Sequence, residues 1–114
     1  MLVNLNEVLV PAKEGKYAVG LFNTVNLELA RGVIAAAEEL NSPVIIGTAE
    51  ILLPYGPLED LARMLIPMAE RANVPVVVHL DHGLKEETCR QASVRLCMIV
   101  QLRNIITIWK RFKG

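Results

Sequence analysis

The chain has 114 residues, 53% of them apolar, which suits one compact domain with a core and excludes a disordered or fibrous chain. Twelve basic and twelve acidic side chains cancel, so overall charge gives no reason to expect nucleic acid or an anionic surface as a partner. That balance conceals an asymmetry: residues 1–92 hold seven basic and all twelve acidic side chains, whereas Arg95, Arg103, Lys110, Arg111 and Lys113 beyond them have no acidic counterpart.

Asn4, Asn6 and Glu7 interrupt the amino-terminal region, which carries neither the basic nor the apolar segment of a secretory leader, so the expected location is cytoplasmic. Cys89 and Cys97 have no CxxC spacing, which argues against a disulfide framework and against a cysteine zinc site. The apolar run over 96–109 is broken by Gln101, Arg103 and Asn104 and is shorter than the roughly 20 residues that cross a bilayer. No membrane partner is expected from it.

In chain order, Asn4 can cap a short helix carrying Leu5, Val8 and Leu9, with Pro11 and the Glu14-Gly15-Lys16 turn limiting its length. Tyr17–Phe22 is β-prone and ends at Asn23-Thr24. Leu27, Ala30, Val33, Ile34, Ala37 and Leu40 then recur at helical spacing behind Asn26, a second cap. Val44–Thr48 reads as a strand apolar on both faces, the kind that helices cover. After a loop, Leu58, Leu61, Ala62, Leu65, Met68 and Ala69 form a helical stripe, with Pro67 expected to kink its last turns. Asn73 and Pro75 precede a third strand, Val76–His79, and Lys85–Ala92 begins another helix. Three successive βα units imply a parallel sheet covered by helices, open or closed into a barrel. No GxGxxG or Walker sequence follows any strand, so backbone cradling of a nucleotide is not indicated.

The third strand runs straight into His79-Leu80-Asp81-His82-Gly83. Side chains alternate along a strand, so His79 and Asp81 should share a face, and His82 can join them only if the chain turns, as Gly83 would permit. Carboxyl ends of parallel strands are where α/β proteins place catalytic and metal-binding groups.

Three segments, Tyr17-Ala18-Val19-Gly20-Leu21-Phe22-Asn23, Ser42-Pro43-Val44-Ile45-Ile46-Gly47-Thr48-Ala49-Glu50 and Val74-Pro75-Val76-Val77-Val78-His79-Leu80-Asp81-His82-Gly83, together resemble the amino-terminal third of a class II, zinc-dependent ketose-bisphosphate aldolase. That group contains fructose- and tagatose-bisphosphate aldolases, and the Gly47-Thr48-Ala49-Glu50 and Leu53-Pro54-Tyr55 variants lean toward the tagatose-like branch. The resemblance covers residues 1–92. It implies an α/β fold, a partial (β/α)8 TIM barrel of roughly the first three βα units preceded by a short helix. It also implies lyase chemistry that splits a ketose 1,6-bisphosphate into dihydroxyacetone phosphate and an aldehyde, and a homo-oligomeric assembly of the intact protein. By the resemblance, His82 is a zinc ligand, Asp81 the acid/base that moves a proton, Asn23 a substrate contact and His79 a support from the same strand. The family position matching Ala49 is often serine.

A complete barrel needs about 250 residues, so three units cannot close one, and one imidazole does not retain a zinc ion. This chain alone is therefore expected to be inactive. The resemblance stops near Ser93, where the charge pattern also changes. Read from the third base of Leu96, the codons through Leu102 can encode Met-Tyr-Asp-Cys-Ser-Thr, close to a segment the family has at about this distance after its Asp-His-Gly. Residues 93–114 are accordingly expected to be an out-of-frame tail. The other reading of them is a basic amphipathic segment that docks on a partner subunit or a membrane surface, which would make the chain a noncatalytic interaction module.

Overall fold

The computed structural model describes residues 1–95 and 99–102. Its elements alternate as α1 (Leu5–Gly15), β1 (Leu21–Asn23), α2 (Leu27–Glu39), β2 (Val44–Ala49), a 3-10 turn (Glu50–Leu52), α3 (Leu58–Arg71), β3 (Val76–Gly83), α4 (Glu86–Arg95) and β4 (Ile99–Leu102). The four strands form one parallel sheet in the order β1-β2-β3-β4. The expected βα alternation is present, with one strand more than the three predicted.

Two of the helix starts follow from local sequence. Asn4 and Glu7 make a reciprocal capping box, each side chain accepting from the other residue's backbone N–H, and the Asn26 side chain accepts from Leu29 N at 2.9 Å. Neither proline ends its helix: α1 continues through Pro11 to Gly15, and α3 through Pro67 to Arg71. Each proline removes one backbone N–H from its helix. What closes α1 is Lys16, at φ 54°, whose left-handed backbone lets Tyr17 N reach Ala12 O at 3.0 Å.

Strand lengths differ from the sequence expectation because pairing, not side-chain type, sets them. Regular pairing in β1 covers Leu21–Asn23 rather than beginning at Tyr17, since β2 starts at Val44 and offers residues 17–19 nothing to pair with. Conversely, β3 runs past His79 to Gly83, because Ala49 of β2 pairs with Asp81 and Leu102 of β4 with Gly83. The polar residues do not stop a strand whose neighbours still supply hydrogen bonds.

The sheet has two differently covered faces. On one, Val44, Ile46, Val76, Val78 and Leu80 pack against Ile34 and Ala37 of α2, Leu61 and Leu65 of α3, and Ala92 of α4. Ile46, Leu65 and Leu80 lie wholly out of water here, each worth about 1.5–3 kcal/mol of transfer free energy. On the other face, Ile45 and Val77 meet Val8 of α1, with Val3, Leu5 and Val19 beside them. Alternation along β3 therefore assigns Val77, His79 and Asp81 to the α1 side and Val76, Val78 and Leu80 to the α2 and α3 side. Leu27 and Leu40, part of the apolar pattern of α2, are 45% and 73% exposed at its two ends. Ile105, Ile106, Ile108, Trp109 and Phe112, with most of the basic tail, lie outside the described residues.

Candidate active site

Three strands place residues at one level: Asn23, at the end of β1, pairs with Gly47, and Gly47 with His79. One step further along, Ala49 pairs with Asp81. The pairing demands a glycine at 47, because a Cβ there would lie 1.8 Å from the His79 carbonyl oxygen. The Gly47 carbonyl in turn accepts from Thr24 N at 2.7 Å and from Thr24 Oγ1 at 3.3 Å, which fixes the chain just after Asn23.

Asp81 is the centre of the cluster. Its Oδ1 accepts the His82 backbone N–H at 3.0 Å, its Oδ2 lies 3.4 Å from His82 Nε2, and His79 Nε2 stands 3.9 Å from Oδ1. Exposure grades across the three, with side chains 4% exposed at His79, 18% at Asp81 and 65% at His82. A buried imidazole thus backs a carboxylate at the rim, and an accessible imidazole stands in front of it. The turn that brings His82 in is not made by Gly83: His82 itself has φ 49°, within an irregularity of the β3–β4 pairing between Leu80 and Gly83. A left-handed histidine is uncommon, and such backbone is found where a site needs it. Asn23 stays apart, two strands from His79 and so roughly 10 Å away at ordinary strand spacing.

Chemically, the cluster offers an anionic oxygen that can take or return a proton and an accessible imidazole that can bind a metal. Among the described residues, no group of three His, Cys, Asp or Glu side chains is placed to hold a metal ion. The residues present therefore do not by themselves fit zinc.

The residue that sequence reading passed over is Glu50. From the end of β2 its Oε2 accepts the backbone N–H groups of Leu84 and of Lys85, the latter at 2.9 Å, and its Oε1 accepts from Thr88 Oγ1 at 3.0 Å. An acid one residue beyond an apolar strand, with no partner in its own segment, is the only sequence signal for it. Glu50 and burial together raise the Cys89 thiol above its ordinary value, burial being the larger cause. An apolar groove of about 380 Å³, lined by Phe22, Val33, Ala36, Leu40 and Val44 among others, lies beside β1 and α2, away from the cluster. Among the described residues, no helix is long and apolar enough to cross a membrane.

The family described as fructose-bisphosphate aldolase class-II matches residues 3–100. The fructose-bisphosphate aldolase of Thermus caldophilus is 45% identical over 92 residues, which cover 81% of this chain and 30% of that protein. That of Geobacillus stearothermophilus is 46% identical over 94 residues, 80% of this chain and 33% of the relative. The 6-phospho-5-dehydro-2-deoxy-D-gluconate aldolase of Halalkalibacterium halodurans is 39% identical over 94 residues. Among solved structures, the YdjI aldolase from Escherichia coli K12 superposes with a TM-score of 0.78 at 39% identity, over 82% of this chain and 36% of that one. The chain spans about a third of the length of the curated relatives it matches.

Proposed function

Because this chain belongs to the class-II fructose-bisphosphate aldolase family, we propose that it carries the proton-transfer corner of an aldol-cleaving site and is inactive until the rest of a (β/α)8 barrel surrounds it. The observation that supports this most directly is the double contact of the Asp81 carboxylate with His82, through backbone N–H and ring, at the carboxyl end of a parallel strand. Ionised Asp81 accepts the proton of the hydroxyl on the carbon that becomes the aldehyde, while the adjoining carbon–carbon bond breaks and its electron pair passes to the dihydroxyacetone phosphate fragment. In condensation it returns that proton. His79, behind Asp81, holds the carboxylate at the rim. Asn23 contacts the phosphorylated sugar from the neighbouring strand end.

The family's zinc would be held by His82 together with donors from outside these residues. The substrates are phosphorylated sugars, with fructose and tagatose bisphosphates both to be assayed, and the intact enzyme is a cytoplasmic homo-oligomer. Residues 93–114 are read as the out-of-frame continuation of the gene. The alignments with the curated relatives span 92–94 residues, about 80% of the chain, whereas the family match runs to residue 100, eight residues into this segment; the coding DNA decides, and absence of the missing barrel from both other frames downstream of codon 92 would overturn the idea.

The catalytic reading is tested by replacing the matching segment of the Geobacillus stearothermophilus relative with residues 1–92 of this chain. The chimaera should cleave fructose or tagatose bisphosphate, and Asp81→Ala should lower kcat by about 10²–10⁴-fold. A folded, zinc-loaded chimaera with no turnover, or with turnover that Asp81→Ala leaves unchanged, would sink the assignment. Turnover by the 114-residue chain alone would refute the expectation of inactivity.

A further inference from the structure

We propose that Glu50 is a positioning residue for Asp81 and His82: one short segment at the end of β2 holds the backbone at Asp81 and again just beyond His82. Upstream, Ala49 pairs with Asp81 in the sheet. Downstream, the next residue, Glu50, takes the N–H groups of Leu84 and Lys85 on Oε2 and the Thr88 hydroxyl on Oε1. The left-handed turn at His82 lies between these two attachments.

The clamp is needed because of what stands inside it. A histidine at φ 49° sits in a small, sparsely populated backbone region, so fixed flanks favour its staying there. Gly83 is held on one side by its pairing with Leu102, and Glu50 fixes the two residues that follow it. A carboxylate is the suitable anchor: bonds from backbone N–H to an ionised oxygen are stronger than neutral ones, and a negative charge just before α4 favours the helix amino terminus. Lys85 O receives Cys89 N at 3.1 Å, so the residue that Glu50 holds is also the one that starts the helical hydrogen bonding of α4. Both carboxylate oxygens are engaged, which suits a structural hold on the loop rather than proton transfer by Glu50.

The role rests on the proposed function only in treating Asp81 and His82 as the reacting groups. Native-state amide hydrogen exchange on the full chain tests it without reference to turnover, so failure of the catalytic chimaera and failure of the clamp are separate results. In Glu50→Ala, exchange at His82, Leu84 and Lys85 should accelerate by about tenfold or more, the scale of a lost charged hydrogen bond. The amides of Ile46 and Leu65 should change by less than about twofold, since a local opening leaves global unfolding nearly untouched. Glu50→Gln keeps a neutral acceptor and should fall between wild type and alanine at the same three amides. Equal acceleration everywhere would mark Glu50 as a general stabiliser, and an unchanged His82 amide would show that its turn does not depend on Glu50; either outcome overturns the proposal. If Glu50→Ala fails to fold, Glu50→Gln decides by the same criterion, uneven exchange supporting the clamp and even or unaltered exchange refuting it.

Discussion

Gly47 and His79 face each other across β2 and β3 with no space for a side chain: a Cβ on Gly47 would lie 1.8 Å from the His79 carbonyl oxygen, and 3.0 Å from the His79 nitrogen. The obstacle is backbone within a paired strand, so it cannot swing aside as a flexible side chain would. Gly47→Ala must therefore force β2 and β3 apart where Asn23, His79 and Asp81 are placed. Overpacking of this kind typically costs about 1–3 kcal/mol and occasionally more, and the upper end is expected. Urea unfolding followed by circular dichroism checks the loss. A variant within about 0.5 kcal/mol of wild type would show that the strands can separate freely.

His82 combines a reactive ring with a backbone conformation that glycine would adopt without strain. The left-handed region costs a side-chain-bearing residue about 1–2 kcal/mol. His82→Gly should therefore be more stable than His82→Ala by about 1 kcal/mol, while neither restores metal-dependent turnover in the chimaeric barrel. Thermal unfolding of the two variants side by side isolates the backbone term. Equal midpoints would mean that the turn is not strained.

What the sequence displays well is what depends on neighbours in the chain. Asn4 and Asn26 act as caps where they were expected, since a cap needs only the next three residues. The apolar run from Val76 announces a buried strand, and alternation correctly puts His79 and Asp81 on one face. Features set by distant partners are harder to see. Val19 looks as strand-like as Leu21 but has no β2 residue to pair with, and Glu50 looks like an ordinary loop acid until α4 folds beside it. By sequence Gly83 is the natural turn residue, yet Gly83 pairs with Leu102 in the sheet and the positive φ falls at His82.

Cys89 gives a pH signature. Burial first and then the negative charge of Glu50 raise its thiol above the ordinary 9.0, opposed by a backbone hydrogen bond, with Glu86 adding the smallest upward contribution. A raised folded value means that the native state keeps its proton where the unfolded chain has lost it. The resulting stability is fully present below the unfolded value and is lost as pH rises from there through the raised folded one. Stability measured by denaturant from pH 7 to 10 should decline more steeply in wild type than in Cys89→Ala. Parallel curves would remove Cys89 as the source.

The β1 edge makes the last prediction. Leu21 and Phe22 are 41% and 49% exposed on a strand with only one neighbour among the described residues, and the groove beside Phe22 continues onto exposed Leu40, just after α2. A strand edge flanked by apolar side chains templates pairing with another chain. The 114-residue chain should accordingly self-associate as its concentration rises, by sedimentation velocity. Phe22→Lys puts a charge into the groove without touching the β1–β2 pairing, and it also removes burial worth about 1.5–3 kcal/mol per phenylalanine. That corresponds to at least a tenfold weaker association, since each 1.4 kcal/mol is one power of ten. An association constant unaffected by Phe22→Lys would place the contact elsewhere, and a chain monomeric at every concentration would show that the exposed edge is tolerated as it stands.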